Sequence, residues 1–419
     1  MRLRLHDSMV LFAFVWLAGA VFVKPTGDIM SDSAVATAVA VVDQGQLSIS
    51  PDVAVDLSRV GEKYYSGVGP GLWLLAVPYY VALKPLLHVV PDSVRTFSTE
   101  PALMLPKRVT KQTYFLHLSL VLFLVLPLSA LLAVQLFSLA QDVGVPRFNA
   151  FLIGVSLGFG TLLFAYGGVY SKGMVGTCLL WNVILHLCRK ARWSETVLFF
   201  SGLVLGLSVA VDYEMVIGVA IVTLWVIYRK GLRDSLPFFI GVGIWAIGMA
   251  AYHQLLFGGV FHTPYKFRVW VEGGILYKGE TVSFARLFDQ RIAGFGLPQW
   301  RSLVGLTVSP FKGLFVFCPI LIPGLMVLFS RRLHEQHREA RALIAVCTAI
   351  FLGYFFLVAS LGFKDGSPIL NELFWSGIPI FFGPRLLLPV IPALAVLLVF
   401  LDYLEGKYKN SKDYHNQGI

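Results

Sequence analysis

Long apolar runs separated by short polar links fill almost the whole chain. A helix that crosses a bilayer needs about 20 such residues. The pattern predicts crossing helices over Met9–Val23, Thr113–Ala140, Phe148–Tyr166, Met174–Cys188, Ser235–Phe257, Gly313–Ser330, Ala342–Leu361 and Leu386–Tyr403. The run Glu195–Tyr228 is too long for one crossing and carries Asp212 and Glu214 at its middle. A carboxylate at the bilayer centre costs several kcal/mol, so this run predicts two short helices with the acids at their turn. The expected fold class is an all-α integral membrane protein with about ten transmembrane helices.

One apolar segment, Leu72–Val90, is ambiguous: it contains Pro78 and is broken by Lys84-Pro85. Charge decides its placement. If it does not cross, Arg147, the cluster Arg189, Lys190 and Arg192, and the cluster Arg229, Lys230 and Arg233 share a side with Arg2 and Arg4. Arg331, Arg332, Arg338 and Arg341, and the tail cations Lys407, Lys409 and Lys412, then join them. Short links rich in Lys and Arg stay cytoplasmic, so the segment is expected to lie in the interface and both termini to be cytoplasmic. Lys107, Arg108 and Lys111 fall on the other side, in a long loop where the rule is weak. The organisation expected is a single polytopic domain over 1–419 in the inner (plasma) membrane. It has a first extracytoplasmic loop, 24–112, with interfacial helices, and a second long loop, 258–312. Met9–Val23 follows two arginines as a signal peptide would; the polar chemistry behind it reads it as an uncleaved anchor.

Composition narrows the class further. Of 419 residues, 57% are hydrophobic and only 14% charged, against about 25% charged in soluble domains. The net charge of +10 sits between apolar runs, so it encodes topology and predicts no nucleic-acid partner. The four cysteines lie in or beside apolar runs, as buried thiols do. Gly154/Gly158 and Gly202/Gly206 have the small-xxx-small spacing that lets helices approach closely.

The non-basic polar chemistry gathers on the outer side. Asp28 and Asp32 stand just past the first helix, ahead of a small-residue stretch, Ser33–Val42, expected to be helical and to end at Asp43-Gln44-Gly45. With Ser31 or Asp32 as N-cap, Asp32 becomes a candidate general base. Then comes Gly61 through Gly71, with Lys63, Tyr64 and Tyr65 and a Gly67-Val68-Gly69-Pro70-Gly71 string. Exposed amides and Lys63 there could hold a phosphate. Asp212 and Glu214, close to lipid, are expected to face a cavity. Tyr265, with Lys266 and Arg268, follows Phe257-Gly258-Gly259 in a later loop, and Lys312 and Arg385 lie at the outer ends of later helices, placed for a lipid phosphate or as snorkelling anchors. No phosphate-binding Walker loop or dinucleotide fingerprint is present, and His334-Glu335-Gln336-His337 is one residue short of a zinc-binding spacing.

In order, these segments resemble the bacterial family 39-like, C-type (GT-C) membrane glycosyltransferases. The resemblance rests on Ser31-Asp32-Ser33 through Gly45, on Gly61 through Gly71, on Ser309-Pro310-Phe311-Lys312-Gly313-Leu314-Phe315 with Pro319, and on Phe382-Gly383-Pro384-Arg385-Leu386 with Pro389 and Pro392. It implies a GT-C-like fold and an inverting sugar transfer from a polyprenyl-phosphate-sugar donor to a lipid, glycan or protein acceptor among membrane lipids. By position it implies Asp32 as base, with Asp28 second, and Lys63, Tyr64, Tyr65, Asp212, Glu214, Tyr265, Lys312 and Arg385 as substrate-binding residues. It leaves room for a divalent metal, for which no ligand set is assigned, and calls for no protein-bound organic cofactor. Two departures stand out. Val68 occupies a place where many relatives have lysine, and the turn Gly167–Lys172 lacks the acid that relatives often carry there. The competing classes are a transporter or lipid flippase, which would show repeats and midplane sites, and a catalytically degenerate relative.

Overall fold

The computed structural model describes residues 2–24, 29–54, 56–90, 110–190, 192–270, 274–277, 280–283, 298, 300–310, 312–327, 338–360 and 384–401. The protein is a mostly helical, multi-pass membrane-type bundle. Its helices are α1 (Arg2–Val21), α2 (Ile29–Gln44) and α3 (Pro70–Leu87), then α4 (Lys111–Asp142), α5 (Arg147–Phe159) and α6 (Leu162–Gly167). They continue with α7 (Lys172–Arg189), α8 (Glu195–Val211), α9 (Val216–Lys230) and α10 (Leu236–Phe257). The last part holds α11 (Trp300–Val308), α12 (Leu314–Phe317), α13 (Ile322–Met326), α14 (Arg338–Ser360) and α15 (Val390–Leu401). Among the described residues, four helices, Pro70–Leu87, Lys111–Asp142, Leu236–Phe257 and Ala340–Ser360, are long and apolar enough to cross a membrane.

Local sequence explains several departures from the expected runs. The Glu195–Tyr228 run does divide at Asp212, with one tight turn over Tyr213–Met215 between α8 and α9. The Phe148–Tyr166 run breaks at Gly160-Thr161, where Thr161 caps α6 by accepting from the Leu163 amide. Over the described part of the Gly313–Ser330 run the chain makes the short α12 and α13 with a 3-10 turn, Pro319–Leu321, between them, because Pro319 has no amide hydrogen with which to continue α12. The small-xxx-small glycines act as read. Added Cβ atoms at Gly154 and Gly158 would meet Leu11 and Val15 of α1, and at Gly202 and Gly206 they would meet Phe238 and Trp245 of α10.

The bundle has two chemically different ends. At one, Arg147 pairs with Asp7, Arg189 with Asp142, and Arg229 lies over the Trp193 ring while Lys230 donates to the Trp193 carbonyl. The cation clusters on the first half of the chain therefore share an end. The other, here called the loop end, carries α2, the start of α3, the 167–172 turn and the 212–215 turn. Lys24 donates to the Gly168 carbonyl there. Both ends of α3 are at this end: Gly71 packs on Ala210 and Val211, where α8 terminates, and Lys111, the first residue of α4, donates to the Val90 carbonyl.

At the loop end the two long loops are stitched together. β1 (Asp56–Val60) pairs antiparallel with β2 (Lys63–Ser66) and with β3 (Arg268–Trp270). The strand contact is reinforced by a buried ion pair. Arg268 Nε lies 2.6 Å and Nη2 3.0 Å from the two Asp56 carboxylate oxygens, and Nη2 also donates to the Gly67 carbonyl. Removing one partner of a buried pair leaves the other charge uncompensated and costs about 3–5 kcal/mol. Arg268→Met is expected to lower unfolding free energy in detergent by about that amount. Adding Asp56→Asn to it should recover part of the loss, and an undiminished loss in the double variant would show that the charge pair is not what holds the loops together.

Candidate functional site

The first cluster forms where α2 meets α4. α2 begins at Ile29, so Asp32 lies in its first turn and is not the N-cap, and Gly45 (φ +67°) ends the helix in the left-handed region that suits glycine. Asp32 Oδ1 is 3.1 Å from Nε2 of His117 on α4, and both side chains are buried. Beside them the Ser33 and Ser66 hydroxyls are 3.0 Å apart, joining α2 to the end of β2. The Tyr170 ring meets the His117 ring edge-on at 6.3 Å, and the Tyr170 hydroxyl donates to the Leu72 carbonyl at 2.6 Å.

The level of this pair follows from helix geometry. Trp16 of α1 donates to the Leu122 carbonyl of α4, so those residues are level. Val21, where α1 ends, is five residues beyond Trp16, and His117 is five residues beyond Leu122 in the same direction. At about 1.5 Å per residue, His117 stands level with the end of α1, at the boundary of the bundle and not at its middle.

The second cluster is centred on Lys172, the first residue of α7. Its ammonium lies 2.7 Å from Asp212 Oδ1, 3.4 Å from Glu214 Oε1 and 3.0 Å from the Tyr265 hydroxyl. Arg268 stacks 4.5 Å over the Tyr265 ring, which tilts edge-on against Tyr213, whose hydroxyl meets His253 Nε2 at 2.8 Å. Arg385 is close enough to act electrostatically on both Lys172 and Glu214. Burial raises the Glu214 carboxyl above its ordinary range, with Lys172 opposing the rise and Asp212 adding to it. Burial likewise raises the Tyr265 phenol. The two clusters are near neighbours, because Tyr170 and Lys172 are two residues apart and extended chain spans at most about 7 Å over that separation.

The structure thus brings Asp212, Glu214, Tyr265 and Arg385 into one neighbourhood and places Asp32 in an adjoining one. Tyr65 packs edge-on against Phe257, and Tyr64 sits in the hairpin under Arg59. Lys63 is exposed beside the Gly61 turn at the hairpin tip. The glycine string is not the exposed amide cradle expected of it. Gly67 through Gly71 are buried, and Cβ atoms there would strike the Asp56 carboxylate, the Ala210 carbonyl and the Val211 amide. These glycines permit close packing of the loop on the end of α8. Asp28 lies outside the described residues.

His117, Lys172, Asp56 and Arg268 are the site residues that sequence reading missed. Lys172 carried a signal, since it occupies the turn that lacks an acid, and it draws Asp212 and Glu214 to that turn from another one. Among the described residues, no three His, Cys, Asp or Glu side chains form a group that could hold a metal ion.

No family model matches the chain, and no curated protein matches it in sequence. Among solved structures, the crystal structure of ArnT from Cupriavidus metallidurans bound to undecaprenyl phosphate aligns with 94% of this chain at 10% identity and a TM-score of 0.48. The chain spans 59% of the length of that protein.

Lys312 is a separate case. It is buried in the turn ahead of α12, and burial lowers its ammonium from the ordinary 10.5 to about 7. Between those values the unfolded chain holds a proton on Lys312 that the folded chain has shed. Stability rises with pH wherever the unfolded state binds more protons. The thermal midpoint of the wild type is therefore expected to rise from pH 7 towards pH 10 relative to Lys312→Met, which lacks the group. Parallel midpoint-versus-pH curves for the two proteins would contradict the shift.

Proposed function

We propose that this chain is a membrane glycosyltransferase that moves a sugar, with inversion, from a polyprenyl-phosphate donor to a lipid, glycan or protein acceptor on the extracytoplasmic face. The single observation that carries the reading is a buried carboxylate, Asp32, held against His117 at the bundle boundary next to the Lys172-centred charge cluster. The ordered sequence motifs that run through Asp32, Gly61–Gly71, Lys312 and Arg385 support it independently.

The chemistry is balanced without an external energy source, because the donor is already activated. The acceptor hydroxyl gives its proton to the Asp32 carboxylate. Its oxygen forms a bond to the anomeric carbon, and the bond from that carbon to the phosphate oxygen breaks. The electron pair leaves on the polyprenyl phosphate, where cations stabilise the developing charge. In this reading Arg385 is the candidate cation for the phosphate and Lys312 joins it once the bound phosphate's negative charge holds its amine protonated, while Lys172 orders Asp212 and Glu214 beside the sugar. Lys63, Tyr64 and Tyr65 take a lesser part at the rim.

The topology that goes with this function has about ten crossings, cytoplasmic termini and an inner-membrane location. Segment 72–90 lies along the outer face. The shared end of the basic links and the position of both ends of α3 at the loop end support that arrangement.

Two measurements test it. Asp32→Asn is expected to lower sugar transfer from polyprenyl-phosphate sugars by about 10²–10⁴-fold while the protein remains monodisperse and folded. Full activity in that variant removes Asp32 as the base. For sidedness, Glu100→Cys should react with a membrane-impermeant maleimide from the extracytoplasmic side only, and labelling from the cytoplasm alone would invert the topology.

A further inference from the structure

We propose that His117 is the positioning residue of Asp32, its imidazole Nε2 packing against Oδ1 and so fixing the orientation of the carboxylate that takes the acceptor's proton. The proposal rests on the glycosyltransferase reading for its chemistry and on geometry for the pairing. The 3.1 Å separation and the burial of both side chains mark a made contact.

The surroundings hold the imidazole as firmly as the carboxylate. Tyr170 lies edge-on against its ring, and the Tyr170 hydroxyl is anchored on the Leu72 carbonyl at 2.6 Å, which prevents that ring from swinging away. On the α2 side, Thr37 donates to the Ser33 carbonyl and Ser33 bonds Ser66, so the turn that carries Asp32 is tied down to the loop. Within α4 the helix loosens from i→i+4 to i→i+5 bonding over Val121–Val125, about one turn beyond His117. Such π segments are rare and occur frequently at functional sites. The extra residue re-aims everything that precedes it, so the helix geometry bears on where His117 points.

A carboxylate that acts as a base must present one oxygen to the acceptor in a narrow range of angles. Asp has two side-chain torsions, and nothing in its own sequence fixes them. His117 supplies that restraint from a rigid spanning helix, while Asp32 sits on the shorter, loop-borne α2.

The test has two readouts. In protein labelled with ¹⁵N-histidine and reconstituted in nanodiscs, the His117 ring signals are identified as those missing from His117→Asn. Asp32→Asn is expected to shift the His117 Nε2 resonance, and an unmoved resonance overturns the pairing whatever the activity. The second readout is release of polyprenyl phosphate from a panel of polyprenyl-phosphate pentoses and hexoses. His117→Ala should lower kcat by about 10–100-fold, as loss of an orienting partner does, with KM for the donor changed less than about two-fold. Added imidazole should restore part of kcat. A merely structural role would lower the folded yield and leave imidazole without effect, and full activity of His117→Ala would overturn the positioning role. Failure of the wild type on every donor counts against the transferase reading instead, and the resonance then decides the Asp32–His117 pairing by itself.

Discussion

Charge buried at the edge of a lipid-facing bundle must be matched by a partner, and this constraint organises the loop end. An ionised group moved out of water without a partner costs several kcal/mol. Three buried acids there answer it in three ways: Asp56 with Arg268, Asp212 with Lys172, and Asp32 with His117. Each pair joins elements distant in sequence, so satisfying the charges is also what draws the two long loops and the helix turns together. The packing glycines follow from the same demand. Gly67 can approach the Asp56 carboxylate only without a Cβ, and Gly69 and Gly71 let the loop settle on the end of α8.

The pairs are not independent. Arg268 holds Asp56 with its guanidinium edge and covers Tyr265 with its face, and the Tyr265 hydroxyl reaches the ammonium of Lys172. Lys172 in turn holds Asp212 and Glu214, and two residues before it Tyr170 supports His117. The strand contact between β1 and β3 is thus connected to Lys172 through side chains in contact at each step. Burial of Glu214 beside Asp212 raises its carboxyl, so the number of protons in this cluster is set by how completely Lys172 offsets two neighbouring acids.

The sequence reading reached part of what hydrophobic length controls, missing the breaks at Gly160 and Pro319, and missed what partners control. The split of Glu195–Tyr228 at Asp212 was legible because the cost of a carboxylate in lipid is large and local. The helix ending at Gly45 was legible because a small-residue stretch and a glycine carry their own conformational preferences. His117 was not, since one histidine in an apolar helix has no periodicity that distinguishes a packed ring from a partner, and its acid lies 85 residues earlier in the chain. Asp56 and Arg268 were hidden in the same way, by a separation of 212 residues. The Gly67–Gly71 string was read correctly as a break in helix and wrongly as exposed amides, because glycine serves both for binding an anion and for close packing of backbone, and sequence does not separate the two.

What the geometry adds to the proposed chemistry is a division of labour between two adjoining clusters. Asp32 and His117 form a compact acid–imidazole pair, while the Lys172 neighbourhood holds several charges of both signs that offset one another. A base must act on one proton at one place, and a small, fixed pair suits that. A sugar and its departing phosphate present many oxygens and shifting charge, for which a wider set of donors and acceptors is better matched. The short path from Tyr170, which packs on His117, to Lys172 places the two clusters side by side.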